Sequence, residues 1–489
     1  MGCIQFGPAT LWKPIMRMCV GIYRCAEKAY SNEWIYAENY SEKRALQALS
    51  ILLGCPDSNL FNGIVKPGDR VVIKPNWVLD RHPYGFDIFS MITHPAVLRA
   101  VVDLVYEALR GEGQIIIADA PQWDCDFENL LRVTQVHLIS EYYWKKLRFD
   151  IPIRDLRQEY CVSQGGFIKS ANRMQLPGDS EGYAVVDLGS DSAFIGMPHP
   201  ERLYGADYDR RETIRHHNAG RHEYLVSKTI LNADVIIHVP KLKVHKKVGV
   251  TLNAKGMVGI NGNKNWVAHF RIGPPSSGGD EFPDEEPFIA KTKARITRLL
   301  VDYHLSSQSP TREKMLELIY GAYRWIKLML GDLAKSRISV DSGNWYGNDT
   351  AWRMVADLAR IVLYADRNGR IQDTVQRRLF SVVDGIIGGE KEDPLAPTPK
   401  QCGVLIAGDN FLAVDLVCTR LMGFDWRKVK YLRWLVEDSP HPMGVKNPES
   451  DIEICSNVPE WVGLMRDPQV RDLSFEPHPG WKGYIELGS

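Results

Sequence analysis

The stretch from Asn232 to His269, NADVIIHVPKLKVHKKVGVTLNAKGMVGINGNKNWVAH, decides the fold, because an apolar strand in it runs directly into a dense set of polar residues. Residues 235–237 are β-branched or long apolar side chains and Pro240 closes the run, a pattern typical of a buried strand ending at a turn. Between residues 210 and 271 the chain has twelve Lys or Arg against three Asp or Glu. Interleaved Gly and Asn residues let the backbone approach a ligand and offer hydrogen bonds. The stretch therefore predicts an anion-binding site at the end of a buried strand.

A strand, a helix and a second strand precede this stretch and predict a parallel sheet. The strands are residues 70–74 and 114–118, and the helix begins at Thr93-His94-Pro95. This order predicts a right-handed parallel unit, and residues 379–383 and 403–407 are predicted to extend the same sheet. The predicted fold class is α/β, with an open, mostly parallel sheet flanked by helices, a helical insertion and an irregular C-terminal tail.

The chain is predicted to divide into five segments. They are a helical lead-in (1–58), a first part of the α/β core (59–272), an acidic flap and helical insertion (273–376), a second part of the core (377–435) and a wrapping tail (436–489). Residues 224–230 are predicted as a helix leading into the strand 234–239. The acidic run 280–286 either forms a plain surface loop or folds over the basic site.

Composition restricts the classes of function. The 489 residues carry 60 Lys or Arg and 60 Asp or Glu, so a net charge of zero argues against nucleic-acid binding through general attraction. The nine cysteines are scattered, which favours a reduced, cytoplasmic compartment. No apolar run approaches the roughly 20 residues that span a bilayer. A soluble protein with a small-molecule partner is expected, and homo-oligomerisation stays open.

Polar residues follow the predicted strand ends, where open parallel sheets bind ligands. The residues expected to move protons are His245, Lys243 and His94. Those expected to bind substrate are Lys74, Asn76, Lys241, Asn253, Lys255, Asn261, Lys264 and His269. Those expected to hold a divalent metal are Asp119, Asp384 and Asp409. The alternatives are a solvated basic loop for the residues after Pro240, a backbone cap for His94 and helix caps for the aspartates. Asp415 is predicted to be structural, as a buried partner of a lysine.

Six motifs occur in an order that resembles a known family. They are VIKPN (72–76), THP (93–95), ADVIIHVPKLKVH (233–245), LNAKGMVG (252–259), VVDGIIGGE (382–390) and AGDNFLAVDLVCTRLMGFD (407–425). Together they make residues 65–425, outside the helical insertion, similar to the domain-of-unknown-function-362 family. The resemblance implies a fold and a site more than a reaction. Many members carry an appended ferredoxin-like segment with cysteine ligands for iron–sulfur clusters. This sequence lacks that cysteine spacing, so no iron–sulfur cluster is expected.

The sequence thus predicts an enzyme of open reaction class, acting on a small molecule that bears a carboxylate or phosphate. Lysines would hold the anion and histidines would transfer protons, with or without a divalent metal. The alternative is a ligand-binding or redox-accessory protein that lacks its own iron–sulfur cluster.

Overall fold

The computed structural model describes residues 18–164, 167–205, 209–218, 220–286, 342–466 and 473–488, with isolated positions between 291 and 340. The acidic flap and helical insertion are predicted over residues 273–376, and within that segment residues 290–341 fall largely outside the described residues. Its described C-terminal part contains one long helix, residues 351–364.

The strands of the described residues are, in chain order, β1 (Met18–Arg24), β2 (Arg70–Pro75), β3 (Gln114–Asp119), β4 (Ile153–Asp155), β5 (Glu159–Gln164), β6 (Phe167–Gln175), β7 (Tyr183–Asp187), β8 (Leu203–Gly205), β9 (His217–Asn218), β10 (Arg221–Ser227), β11 (Val235–Val239), β12 (Lys241–His245), β13 (Gly249–Val250), β14 (Ala268–Arg271), β15 (Arg378–Glu390), β16 (Thr398–Gly408), β17 (Ile452–Ser456) and β18 (Gly463–Leu464). The helices with described ends are α1 (Ser41–Leu52), α2 (Pro95–Leu109), α3 (Phe127–Thr134), α4 (His137–Leu147), α5 (Arg210–His216), α6 (Lys228–Leu231), α7 (Leu252–Gly256), α8 (Ala351–Tyr364), α9 (Phe411–Leu421), α10 (Lys430–Glu437) and α11 (Pro448–Asp451).

Eleven strands form one mixed, mostly parallel sheet, which confirms the predicted α/β class. Its order is β18-β17-β1-β16-β15-β11-β2-β3-β4, and β12 joins along β15 and pairs with β13. The neighbours β15, β11, β2, β3 and β4 are all parallel, so their carboxyl ends lie at one edge. That edge carries the site.

Side chains alternate between the two faces of the sheet, as strand geometry requires. In β2, Val71 and Ile73 pack into a core with α1 and α2, whereas Val72 packs into a second core with α8 and α9. The two cores enclose the sheet between helical layers. Cys418 in α9 is fully buried, as its apolar pattern predicts.

Three local predictions are wrong. The lead-in predicted as helical contains β1, which lies inside the sheet between β16 and β17. Residues 221–227 form β10, not a helix, because they pair with β7 in a separate small sheet. The C-terminal tail is not wholly irregular, since β17 pairs with β1 and lengthens the main sheet.

The strand β16 runs antiparallel to β15, which changes the place of Asp409. Seven residues join the two strands, too few for the crossover of a dozen or more residues that parallel neighbours need. Asp409 therefore lies with Asp234 and Arg378 at the amino edge of the parallel strands, opposite the predicted site.

Candidate functional site

A cavity of about 430 Å³ opens at the carboxyl ends of β2 and β3. Its cationic lining residues are Lys74, Lys243, Lys246, Lys247, Lys255, Lys264 and Arg298. The carboxylates in its wall are Asp119 and Asp124, and the histidines are His245 and His269. Asn76 and the aromatic residues Trp77, Trp123, Tyr204 and Phe270 complete much of the wall. The cations outnumber the carboxylates, so the cavity favours an anion.

One wall is built on an ion pair between neighbouring strands. Lys74 at the end of β2 lies 2.8 Å from Asp119 at the end of β3, and both side chains are buried. Asp119 also accepts a hydrogen bond from the backbone N–H of Trp77 (2.8 Å). Burial raises the pKa of Asp119, although the Lys74 ammonium opposes that shift. The pair neutralises Lys74 and fixes its position at the cavity wall.

A second ion pair at the cavity joins distant parts of the chain. Lys243 in β12 lies 3.2 Å from Asp393, which follows β15, and both are fully buried. The other carboxylate oxygen of Asp393 has no hydrogen-bond partner in the described part of the chain. Burial raises the pKa of Asp393 to about 7, against the opposing effect of Lys243. Asp393 was not among the residues predicted from the sequence, because no strand or helix pattern marks it.

Two further lysines have strongly altered acidity. Burial lowers the pKa of Lys255 to about 7, and the neighbouring cations Lys243, Lys264 and Lys74 add to the shift. Burial also lowers the pKa of Lys264 to about 7, with Asp119 opposing it. Lys264 donates hydrogen bonds to the carbonyl oxygens of Ala120 and Asn261. Both lysines can therefore change their charge near neutral pH.

The two cavity histidines are neutral and offer opposite hydrogen-bonding groups. His269 Nδ1 lies 2.9 Å from the carbonyl of Val267 and must donate to it, which leaves Nε2 as an acceptor. His245 Nδ1 accepts a hydrogen bond from the backbone N–H of Lys247, so its Nε2 carries the proton. Burial, with Lys255 as the largest charged contributor, holds the pKa of each ring well below its usual value. The pair supplies one proton acceptor and one hydrogen-bond donor.

Two carboxylates of the acidic run, Asp280 and Glu281, contact basic residues at or near the cavity. Glu281 lies 2.9 Å from Arg298, which lines the cavity and also lies over the rings of Tyr204 and Phe270. Asp280 is buried and accepts a hydrogen bond from the backbone N–H of Arg271. These two carboxylates anchor basic residues, and Asp284 and Glu285 beyond them are much more exposed.

Lys241, Asp384 and His94 form a separate buried cluster outside the cavity. Lys241 lies 2.9 Å from Asp384, and both side chains are fully buried. The Tyr30 hydroxyl donates to Asp384 (2.8 Å) and accepts from Lys241 (2.6 Å), and its ring stacks on His94 at 3.7 Å. His94 is the cap of α2, where Nδ1 accepts from the Ala96 N–H. Burial and Lys241 hold the pKa of His94 well below its usual value. No sequence pattern pointed to Tyr30.

Three predicted polar residues hold the backbone together behind the site. Asn253 is buried and bonds Asp415, Ser381 and His238. Asn261 is buried and accepts from the Leu225 N–H. Asp415 is structural as predicted, but its partners are the backbone N–H groups of Asn253 and Ala254 and the Asn253 amide instead of a lysine. The Asp415 carboxylate therefore caps the N-terminal end of α7.

The structure does not bring together the aspartates expected to bind a metal. Asp119 pairs with Lys74, Asp384 pairs with Lys241, and Asp409 lies at the opposite edge of the sheet. Across the described ranges, no group of three or more His, Cys, Asp or Glu side chains could hold a metal ion.

Comparisons with known proteins match this region. A family model for a domain of unknown function, DUF362, matches residues 71–172 and 177–420. A thylakoid-associated protein of Synechocystis sp. is 27% identical over 224 residues, which cover 46% of this chain and 48% of the relative. The matched region thus spans about half the length of that relative.

A crystal structure of a Thermotoga maritima protein aligns with 80% of this chain and 57% of its own, at 12% identity and a TM-score of 0.31. A score at this level does not establish a common fold. Among the described residues, no helix combines the length and apolar character needed to cross a membrane.

Proposed function

The chain belongs to the DUF362 family, and from the chemistry of its cavity we propose that it binds a small molecule bearing a carboxylate or phosphate and acts on it by proton transfer. One observation carries the proposal: among the described residues that line a single cavity of about 430 Å³, seven have basic side chains and two have carboxylates. A cavity of that size suits a small ligand and not a polymer. The cations would hold the anionic group.

The two neutral histidines supply the chemistry of the proposed enzyme. His269 Nε2 would accept a proton from the bound molecule, because its Nδ1 is committed to the Val267 carbonyl. His245 Nε2–H would donate a hydrogen bond to an oxygen on which negative charge develops. The lowered pKa of each ring keeps both groups in these forms at neutral pH.

Lys264 is the anion-binding residue whose role can be tested most cleanly. Its ammonium lines the cavity and has carbonyl oxygens, not a carboxylate, as its hydrogen-bond partners. A hydrogen bond to a charged group contributes roughly 1.5–3 kcal/mol. Lys264→Met should therefore weaken anion binding by about tenfold to a hundredfold.

Calorimetric titration with sulfate, phosphate and oxalate tests the proposal. The unmodified protein should bind at least one of these anions saturably, and Lys264→Met should bind it more weakly. Lys145→Met is the matched control, because Lys145 is an exposed lysine that pairs with Glu141 on α4. Equal affinities in the two variants, or no saturable binding, would contradict the proposal.

A cytoplasmic location is also part of the proposal. It is supported by the eight cysteines of the described residues, all of which are free thiols.

A further inference from the structure

Lys255 differs from the lysines around it because its amine has no hydrogen-bond or ion-pair partner among the described residues. Lys74 and Lys243 each pair with a buried aspartate, and Lys264 donates to carbonyl oxygens. Within the described part of the chain, Lys255 makes no hydrogen bond or ion pair. Its side chain lines the cavity from α7, and the part of it that is accessible faces that space. The wall therefore presents an uncommitted amine to whatever the cavity holds.

The surroundings of this amine favour its neutral form. Lys243, Lys264 and Lys74 are close enough to disfavour a positive charge on Lys255, and Asp393, which opposes them, is already paired with Lys243. A desolvated lysine beside other cations is a recognised nucleophile toward carbonyl compounds. At its pKa of about 7, a large share of Lys255 is free amine at neutral pH.

We propose that Lys255 forms an imine with a small aldehyde or ketone that also bears a carboxylate or phosphate. This rests on the proposed function, because the anionic group of that compound has to be held by the neighbouring cations. The substrate class is thereby narrowed from small anions to small oxo acids and phosphorylated carbonyl compounds.

The imine can form with a hydrogen-bond donor and a proton acceptor that already line the cavity. The Lys255 Nζ lone pair attacks the carbonyl carbon, a C–N bond forms, and the π electrons move to the oxygen, which accepts a hydrogen bond from His245 Nε2–H. His269 Nε2 takes a proton from the new ammonium and delivers it to that oxygen. The second N–H proton follows to the hydroxyl group, the C–O bond breaks and the nitrogen lone pair completes the C=N bond. The two amine protons and the carbonyl oxygen leave as one water.

The histidines are placed for these roles. Lys255, His245 and His269 all line the same cavity. Lys255 is also the charged group with the largest effect on the pKa of both rings, and His269 contributes to the lowered pKa of His245. One amine and two neutral imidazoles thus line one cavity.

Reductive trapping with glyoxylate and sodium cyanoborohydride tests this inference. The reductant converts an imine to a stable secondary amine, and peptide mass spectrometry then locates the carboxymethyl group. Lys145 is the control in the same sample, because it is exposed and its ion pair with Glu141 raises its pKa. At pH 7.5 Lys255 should react roughly a thousandfold faster than Lys145, as its larger fraction of free amine dictates. Sulfate should slow the reaction at Lys255 and not at Lys145.

The outcomes separate the inference from the proposed function. Sulfate binding without faster labelling of Lys255 would overturn the imine and leave anion binding standing. Fast labelling of Lys255 that sulfate does not slow would overturn the proposed anion site, and the substrate class with it. Neither binding nor selective labelling would overturn both. The label is mapped on the unmodified protein, so the test does not depend on the folding of a variant, and Lys255→Arg serves only to confirm the labelled peptide.

Discussion

Replacing Gly259 by alanine should disrupt the wall of the cavity that carries Lys74. A Cβ atom at Gly259 would lie 1.9 Å from Asp119 Oδ1 and 2.7 Å from Lys74 Nζ. Gly259 does not have a positive φ, so the alanine backbone is not strained and the effect is purely steric. The carboxylate must move by more than an ångström, which breaks its 2.8 Å contacts with Lys74 and the Trp77 N–H.

The expected loss of stability follows from two contributions. Overpacking of a buried position costs roughly 1–3 kcal/mol. Separating a buried ion pair costs roughly 3–5 kcal/mol, because each charge loses its partner without gaining water. One movement of Asp119 both relieves the clash and separates the ion pair, so the two costs do not add in full. We expect the free energy of unfolding to fall by about 3–5 kcal/mol. That is a large part of the stability of a typical domain.

Urea unfolding measures this loss, and sulfate titration measures the accompanying fall in affinity. Gly321→Ala is the control, because no described atom, apart from its chain neighbours and its own helix backbone, lies within 4 Å of a Cβ placed there. Gly321 is also helical, so alanine should leave stability unchanged or raise it by up to about 1 kcal/mol. An unfolding midpoint for Gly259→Ala equal to that of the unmodified protein would refute the reasoning.

Of two further predictions, the first distinguishes the cavity from the buried cluster around Tyr30, and the second tests the charge of the cavity. Tyr30→Phe removes the hydroxyl that bonds Lys241 and Asp384, so it should lower the free energy of unfolding by about 2–3 kcal/mol, measured in urea, and leave sulfate affinity unchanged. Sulfate affinity should fall with rising pH above 7, by about tenfold per pH unit for each lysine that takes up a proton to bind the anion, because Lys264 and Lys255 both have a pKa of about 7. Calorimetry in buffers of different ionisation enthalpy measures that proton directly.

Each of these predictions has its own control. Tyr84→Phe removes a hydroxyl that bonds Glu392 at the surface, so its effect on stability should stay within about 0.5 kcal/mol. A Tyr30→Phe protein that loses as much sulfate affinity as Lys264→Met would show that the buried cluster belongs to the binding site. A sulfate affinity constant between pH 6 and 9, or a slope in Lys264→Met as steep as that of the unmodified protein, would contradict the assignment of a proton to Lys264.

Local patterns were enough to predict the strands and the helix that position the site. In β2, β3 and β11 the apolar runs end at polar residues, and Pro95 marks the start of α2. The predicted strand 379–383 is shorter than β15, and 403–407 is shorter than β16. The gap between the predicted strands was therefore long enough for a parallel crossover, whereas the real link of seven residues forces an antiparallel pair. Asp409 was therefore predicted at the carboxyl edge of the parallel strands, whereas it lies at their amino edge.

Local sequence patterns could not predict contacts between residues that are far apart in the chain. Lys241 and Lys243 lie two residues apart, yet one pairs with Asp384 beside Tyr30 and the other with Asp393 at the cavity. A register shift between the two lysines, where β12 pairs with β15, separates their surroundings. No local pattern encodes such a shift, and none links Tyr30 to residues more than 200 positions away.

The central claim, that this cavity holds an anion, is tested most directly by locating a bound anion. Crystals of the protein soaked in selenate would give an anomalous scattering peak at every ordered selenium. We predict a selenium peak inside the cavity, positioned so that a selenate oxygen lies within hydrogen-bonding distance, about 2.7–3.2 Å, of Lys264 Nζ. Peaks confined to the outer surface, with the cavity free of selenate, would contradict it.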